Sequence, residues 1–275
     1  MFRPPSRLLR AAVAVLLLAG AGSGGAGCGG ASCGGADRVE DGAGRPFTVA
    51  VASSLAPAVE ALAARWDGRG AGRPRLTVGA TSTLARQLER GAPFEVFLSA
   101  DDLWLDRLAA AALVDPATEV ELGRGRLVVA VRAAEDAAED AGAGQLPEGR
   151  WASGDPAHVP LGRFAREALR ARGAWAEAST RMIAAGDARA ALRLVESGEV
   201  DWGILYRTDA AASEVLLVDQ EFDPAHHPAI RYAGALGPDA SPGALAFLEA
   251  LASEEGAALL AHHGFDPPRG GGVRR

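Results

Sequence analysis

The sequence has only two cysteines among its 275 residues, Cys28 and Cys33, and it has no lysine at all. Both cysteines lie in the first forty residues, so the remainder of the chain has neither a disulfide nor thiol chemistry. The absence of lysine excludes a Walker A lysine and a Schiff-base lysine. All 28 basic residues are therefore arginines, and the net charge of −7 argues against a nucleic-acid partner.

Beyond the first forty residues the chain also lacks any apolar run long enough to span a bilayer. The start itself has the pattern of a secretory leader, in which arginines precede a short apolar run at residues 11–19 and a stretch of small residues. We therefore expect residues 1–40 to be a signal peptide and a low-complexity leader. The mature protein is then expected in the periplasm or at the extracytoplasmic face of the membrane.

The two cysteines suggest a membrane anchor. The segment GAGC that ends at Cys28 resembles a bacterial lipoprotein cleavage site, in which the cysteine becomes the lipidated first residue. Cys33 is a poorer second candidate. The alternative is that both cysteines are incidental to a low-complexity stalk.

Apolar strand patterns alternate with helical patterns from about residue 45 onwards. Strands are predicted at residues 45–52, 75–78 and 94–98, with helices between and after them, which predicts a parallel sheet flanked by helices. Two irregular connectors, near Gly123 and at residues 219–228, divide this α/β body. We expect residues 46–123 and 229–266 to form lobe 1, residues 124–228 to form lobe 2, and residues 267–275 to be a disordered tail.

The segment at residues 79–108 carries the densest chemical signal. Thr81, Ser82 and Thr83 open a predicted helix, and Asp101 is the predicted N-cap of the next one. Because the first turn of a helix has free backbone amides, a helix that starts with hydroxyl residues can hold an anion. We therefore interpret this segment as part of an oxyanion site.

Four segments then resemble the periplasmic molybdate-binding proteins of bacterial ABC transporters. They are VASSLAPAVEALA, TSTLARQLERGAPFEVFLSADDLWLDRL, GDPAHVPLGRFAREALRARGAW and ALRLVESGEVDWGILYRTDA, in the family's order, and the resemblance covers residues 46–266. It implies a two-lobed type II periplasmic binding protein fold with a hinge between the lobes. The implied ligand is molybdate or tungstate, with no cofactor, so that molybdenum is the only metal and is bound as the oxyanion.

The resemblance also implies which residues hold the ligand. The family's donor positions fall on Ser54, Thr81, Leu161, Ala188 and Tyr206, with Leu161 and Ala188 acting through their backbone amides. Ser53, Ser82 and Asp187 are secondary candidates, and the choice between Thr81 and Ser82 is open. The implied partner is an ABC permease in the inner membrane, and the protein is expected to be a monomer and not an enzyme.

Three other interpretations compete with this one. The hydroxyl residues could simply be helix N-caps. The same fold could bind another oxyanion such as sulfate or phosphate. A serine hydrolase would need Ser54 or Ser82 as nucleophile with His158 as base, but neither serine lies in a G-x-S-x-G motif.

Overall fold

The computed structural model describes residues 44–67, 72–133 and 145–269. The predicted leader, with Cys28 and Cys33, lies outside the described residues. Of the predicted tail, residues 270–275 also lie outside them, whereas Arg269 donates its backbone N–H to Glu121 at 3.3 Å. The structure therefore describes the predicted α/β body and leaves the membrane-anchor prediction untested.

The chain begins with strands and helices in strict alternation. They are β1 (Phe47–Ala52), α1 (Ala56–Arg65), β2 (Pro74–Gly79), α2 (Thr81–Glu89), β3 (Val96–Ser99) and α3 (Asp102–Ala110), followed by the long strand β4 (Asp115–Gly125). A 3₁₀ turn, Ser53–Leu55, joins β1 to α1.

A second group of elements follows after Arg126. It contains β5 (Leu127–Arg132), β6 (Trp151–Gly154), α4 (Pro160–Ala171), α5 (Trp175–Ala178), β7 (Met182–Ala185), α6 (Ala188–Glu196), β8 (Trp202–Tyr206), α7 (Arg207–Ala211) and β9 (Leu216–Glu221). The last elements are β10 (Ile230–Leu236), α8 (Pro242–Ala252) and α9 (Glu254–His262).

The described strands form two five-stranded sheets, in the orders β2-β1-β3-β10-β4 and β7-β6-β8-β5-β9. We call the first sheet with its helices lobe 1 and the second sheet with its helices lobe 2. Since β10 belongs to the first sheet, the chain crosses between the lobes twice, after β4 and after β9. This architecture confirms the predicted two-lobed α/β fold, while the residue boundaries given above for the lobes stay a prediction.

The parallel pairing predicted from the first three strands is confirmed for β1, β2 and β3, but each of the two five-stranded sheets is mixed. Strands β1, β2 and β3 are parallel, and so are β6, β7 and β8, but β10 runs antiparallel to β3 and β4, and β5 runs antiparallel to β8 and β9. The strands next to the two crossovers are the ones that reverse direction. A strand that enters from the other lobe need not follow the βαβ rule, which applies to consecutive units within one sheet.

Two element predictions are wrong for identifiable reasons. The irregular connector predicted near Gly123 is part of strand β4, whose extended form depends on pairing with β10, more than a hundred residues away. The helical pattern of residues 244–260 predicts a single closing helix, but the structure has two, because Ser253 accepts the backbone N–H of Gly256 at 3.1 Å and so caps a new helix.

Each lobe has an aromatic centre in its core. In lobe 1 the rings of Phe47, Trp66 and Phe247 lie 5.3–6.4 Å apart. In lobe 2 the rings of Trp151 and Trp202 stack at 5.1 Å, and the Trp151 indole donates to the Ala178 carbonyl at 2.7 Å. No helix of the described residues has both the length and the apolar character needed to cross a membrane.

Candidate functional site

The carboxyl ends of the parallel strands in both sheets lead directly into helix starts. In lobe 1, Ala52 at the end of β1 is in register with Gly79 at the end of β2. In lobe 2, Gly154 at the end of β6 is in register with Ala185 at the end of β7. Because the strands of each pair are parallel and in register, the helix starts that follow them lie side by side.

These helix starts enclose one small cavity between the lobes. The cavity volume is about 10 Å³, which is far smaller than that of the pockets that hold drug-sized organic ligands. The residues that line it come from both lobes and are all uncharged: Ala52, Ser53, Ser54, Ala80, Thr81, Ala100, Val159, Pro160, Leu161, Ala188 and Tyr206. All five residues that the sequence predicts as ligand donors are among them.

Ser54 lies in the 3₁₀ turn that joins β1 to α1 and is 3% exposed. The residue before the turn, Ala52, has no side-chain oxygen, so no side chain caps the start of the turn. The Tyr232 hydroxyl lies beside Ser54 on the side of β10. Burial raises the pKa of Tyr232, and the neighbouring hydroxyls of Ser54 and Thr208 lower it by less.

Thr81 is the first residue of α2, and its N-cap is Ala80, which again provides no side-chain cap. The Thr81 hydroxyl oxygen accepts the backbone N–H of Ala100 at 3.2 Å. Ser82 is fully buried but does not line the cavity, and its Oγ has no hydrogen-bond partner among the described residues. Of these two hydroxyl residues, Thr81 lines the cavity and Ser82 does not.

Leu161 is the second residue of α4, after Val159 as N-cap and Pro160 at the first helical position. Proline at that position has no N–H to offer, so the first free amide of the helix belongs to Leu161. The helix start is held against the end of β6 at Gly162, where a Cβ would collide with the carbonyl oxygen of Gly154. This close backbone approach fixes where the Leu161 amide points.

Ala188 is the first residue of α6, and Asp187 caps that helix by accepting the backbone N–H of Ala190 at 2.8 Å. The Asp187 side chain thus serves an amide deeper in the helix and leaves the Ala188 amide free. Asp187 itself does not line the cavity. The structure therefore places Asp187, a secondary candidate, behind the site as a helix cap.

Tyr206 ends β8 and is 1% exposed. Tyr206 lines the cavity, and its hydroxyl has no hydrogen-bond partner among the described residues. Burial raises its pKa well above the usual tyrosine value, so the hydroxyl keeps its proton and remains a donor. Edge-on contacts with Phe164 at 6.5 Å and Tyr232 at 5.9 Å hold the ring in place.

A buried carboxyl group lies behind the cavity at Asp209 in α7. Burial raises its pKa to about 7, the positive charge of Arg189 lowers it, and the negative charge of Asp187 raises it. Its Oδ2 has no hydrogen-bond partner among the described residues. The sequence contains no local pattern that marks Asp209 or Tyr232, because their burial beside the site arises from tertiary packing. Neither residue lines the cavity.

The residues needed for hydrolase chemistry do not meet. His158 lies near Asp155, with 3.5 Å between Nδ1 and Oδ2, and it lines a different surface groove from Ser54. No histidine is among the described residues that line the cavity. Within the same residues, no group of three or more His, Cys, Asp or Glu side chains is placed to hold a metal ion.

Such an arrangement brings hydroxyl groups and free helix amides from both lobes to one small, uncharged space. Serine, threonine and tyrosine hydroxyls and two helix amides can surround a small acceptor-rich anion, and the helix dipoles stabilise its charge. The fold and the site together define a two-lobed binding protein for a small ligand.

The comparisons agree with this class. Residues 47–266 match the family of bacterial extracellular solute-binding proteins, and the chain belongs to that family. The molybdate-binding protein ModA of Escherichia coli is 36% identical over 225 residues, which cover 79% of this chain and 88% of the relative. ModA of Haemophilus influenzae is 34% identical over 192 residues, covering 67% of this chain and 75% of the relative.

A solved structure has the same fold. The periplasmic molybdate-binding protein of Azotobacter vinelandii matches 81% of this chain and 100% of its own, with a TM-score of 0.71 and 20% identity. At that identity the likeness concerns the fold. The resemblance noted in the sequence is thereby confirmed at the level of family and architecture.

Proposed function

We propose that this protein captures molybdate outside the cytoplasm and delivers it to an ABC permease. The observation that carries the proposal is the meeting of uncapped helix starts and buried hydroxyls in one uncharged cavity. The two ModA relatives, at 34–36% identity, support molybdate as the particular anion.

The chemistry of the cavity suits a tetrahedral dianion. Such an ion has four acceptor oxygens and no donors, so each oxygen needs N–H or O–H groups. Ser54, Thr81 and Tyr206 supply hydroxyls, and the amides of Leu161 and Ala188 supply helix-terminal N–H groups. We propose these five as the ligand contacts, with Ser53 as an additional contact, since it also lines the cavity.

The lack of charged residues in the cavity wall has a consequence for selectivity. A charged side chain would attract every anion, whereas neutral donors leave discrimination to the size of the cavity and the directions of its hydrogen bonds. Donors that are fixed in number and position also disfavour protonated anions, which must find an acceptor. We therefore propose that sulfate and phosphate bind more weakly and that tungstate, with nearly the size and charge of molybdate, binds similarly.

The remaining parts of the proposal concern the role in the cell. The protein acts as a monomeric carrier and not as an enzyme, with the ligand released unchanged to the permease. Cys28 is the proposed lipid attachment point. We expect mass spectrometry of the membrane fraction to show a Cys28 peptide modified with diacylglycerol. An unmodified Cys28 peptide would contradict the proposed lipid attachment.

A thermal-shift screen of the full chain against molybdate, tungstate, sulfate, phosphate and a small organic anion tests the function. A ligand that binds only the folded state raises Tm, and the stabilisation grows with the logarithm of its concentration relative to Kd. We expect large shifts for molybdate and tungstate and small ones for the others. If sulfate or phosphate gave the largest increase in Tm, that oxyanion and not molybdate would be the ligand. Consumption of the ligand over time would indicate an enzyme.

A further inference from the structure

The donors of the proposed site are shut off from solvent in this conformation. Ser54, Thr81 and Tyr206 are 3%, 2% and 1% exposed. Because the cavity lies between two lobes joined by two crossovers, an ion can enter or leave only when the lobes separate. Whatever holds the lobes together at the cavity rim therefore sets how long the ion stays.

An ion pair crosses between the lobes next to the cavity. Arg163 of α4 donates from Nη2 to Oδ1 of Asp101 at 2.6 Å and from Nε to Oδ2 at 3.1 Å. Asp101 directly follows Ala100, a cavity residue, and Arg163 lies two residues after Leu161, so each partner adjoins the cavity wall. The contact is bidentate, the strongest geometry for an arginine and a carboxylate.

We propose that Asp101 and Arg163 form a latch that retains the bound anion by holding the closed lobes together. The proposal rests on the proposed function for the identity of the anion. It assigns the two residues a positioning role, since neither lines the cavity.

In the closed state three hydrogen bonds compensate the Asp101 carboxylate for its loss of hydration. Besides the two arginine contacts, Asp101 Oδ1 accepts the backbone N–H of Leu103 at 3.1 Å as the cap of α3. Asp101 is only 3% exposed, and the Arg163 side chain is 22% exposed. A buried charge pair stabilises a state only when its hydrogen bonds offset the loss of hydration, and Asp101 accepts three such bonds here.

The Phe164 ring connects the latch to one of the proposed ligand donors, Tyr206. The Arg163 guanidinium lies 4.5 Å from the centre of the Phe164 ring, which packs edge-on against Tyr206 at 6.5 Å. The ion pair therefore fixes the position of the Phe164 ring, and this ring in turn holds the Tyr206 ring and its hydroxyl in place. Because Asp101 neutralises Arg163, the arginine can hold the lobes without acting as a general anion attractor.

A second pair between the lobes offers a matched control. Arg189 of α6 contacts Glu60 of α1 through one pair of atoms at 3.4 Å, with 32% and 48% of their side chains exposed. Exposed single contacts of this kind contribute little. The Glu60→Gln substitution therefore removes an inter-lobe ion pair without removing the latch.

The rate of molybdate release tests the latch. Radiolabelled molybdate bound to the full chain is chased with unlabelled molybdate for wild type, Asp101→Asn, Arg163→Gln, the double variant and Glu60→Gln. Asparagine retains an oxygen that can cap α3. We expect either single substitution to speed release by about ten- to a hundred-fold, the double variant to match the singles, and Glu60→Gln to change release by less than about twofold.

Arg163→Lys provides a graded variant. Lysine keeps the charge but loses the bidentate contact, so we expect a release rate between those of wild type and Arg163→Gln. Unchanged release in both single variants would overturn the latch. So would additive effects in the double variant, because residues that act only through each other give no further loss.

A second measurement separates the latch from the identity of the anion. Spin labels at Arg90→Cys in lobe 1 and Arg193→Cys in lobe 2, both exposed, report the inter-lobe distance in a full chain that carries Cys28→Ser and Cys33→Ser. Without anion, Asp101→Asn should shift the distance distribution towards longer values. If wild type fails to retain molybdate, the proposed function fails, and these distances alone decide the latch: unchanged distances would overturn it.

Discussion

The hydroxyl oxygen of Thr81 accepts the backbone N–H of Ala100 at 3.2 Å. Because a hydroxyl that has accepted one hydrogen bond still has its own hydrogen to donate, this contact orients the O–H of Thr81 without consuming it. The backbone just after β3 thus orients the Thr81 hydroxyl, which can still donate its hydrogen bond into the cavity. The same principle applies at Ala188, where Asp187 caps a different amide of the helix.

The first prediction concerns this hydroxyl. Thr81→Val should weaken molybdate binding by about ten- to a hundred-fold, because a charge-assisted hydrogen bond contributes roughly 1.5–3 kcal/mol. Thr81→Ser should keep most of the affinity. Thr83→Val, an exposed position of the same helix, controls for the loss of a hydroxyl as such. Calorimetry that gives equal losses for the Thr81→Val and Thr83→Val variants would contradict the assignment.

Ser54→Ala and Tyr206→Phe should each lower molybdate affinity by a similar factor without unfolding the protein. The matched control is Tyr232→Phe, which removes an equally buried tyrosine hydroxyl that does not line the cavity. We expect its effect to be clearly smaller than that of Tyr206→Phe. Unchanged affinity in both Ser54→Ala and Tyr206→Phe would remove the site assignment, provided that circular dichroism shows the variants folded.

The backbone donor at Ala188 can be removed by a single substitution. Proline is favoured at the first position of a helix, and the extended conformation of Asp187 (φ −158°, ψ 177°) suits a residue before proline. Ala188→Pro should therefore keep α6 and lose only the N–H, with about a tenfold or greater loss of affinity. Ala188→Val adds comparable bulk but keeps the amide. Equal affinities of the two variants would show that the amide does not bind the anion.

The buried carboxyl of Asp209 predicts a dependence of stability on pH. Its pKa is about 7 in the folded protein against 3.8 as the ordinary value, so between these values the folded state binds more protons than the unfolded state. The contribution of Asp209 to the free energy of unfolding is therefore complete at low pH and is lost as the pH rises towards and through about 7.

Urea denaturation without anion, at about pH 5 and about pH 8, measures this effect. Asp209→Asn should lose less stability than wild type between the two conditions, because the amide cannot ionise. Asp106→Asn, at an exposed position of α3, should behave like wild type. A wild-type and an Asp209→Asn protein with the same change of stability would refute the assigned origin of the effect.

The α/β class and the helix start at Thr81 were predictable from the sequence because their signals are local, whereas the two-lobed fold was implied by the family resemblance. The strand and helix periodicity and the hydroxyls that begin at Thr81 lie within a few residues of the features that they predict. The assignment of Leu161 and Ala188 needed the family resemblance, since nothing in an apolar side chain marks its amide as a donor. Their position at free helix starts then gave that assignment a physical reason.

Other features depend on partners distant in the sequence. Strand β4 takes its extended form beside β10, and Arg163 contacts Asp101, which lies 62 positions earlier in the sequence. No local pattern distinguishes Arg163 from the other arginines of α4. The raised pKa of Asp209 likewise arises from burial, which only the packed structure determines. Such contacts were beyond prediction from the sequence because tertiary packing creates them.

Calorimetric titration of the full chain with molybdate, repeated in the presence of excess sulfate and excess phosphate, tests the central claim most directly. The account predicts one molybdate per chain, with an affinity in the micromolar range or tighter that the competing anions reduce only slightly. No saturable heat with molybdate, or its suppression by equal concentrations of sulfate or phosphate, would contradict the claim that this cavity of neutral donors is built for molybdate.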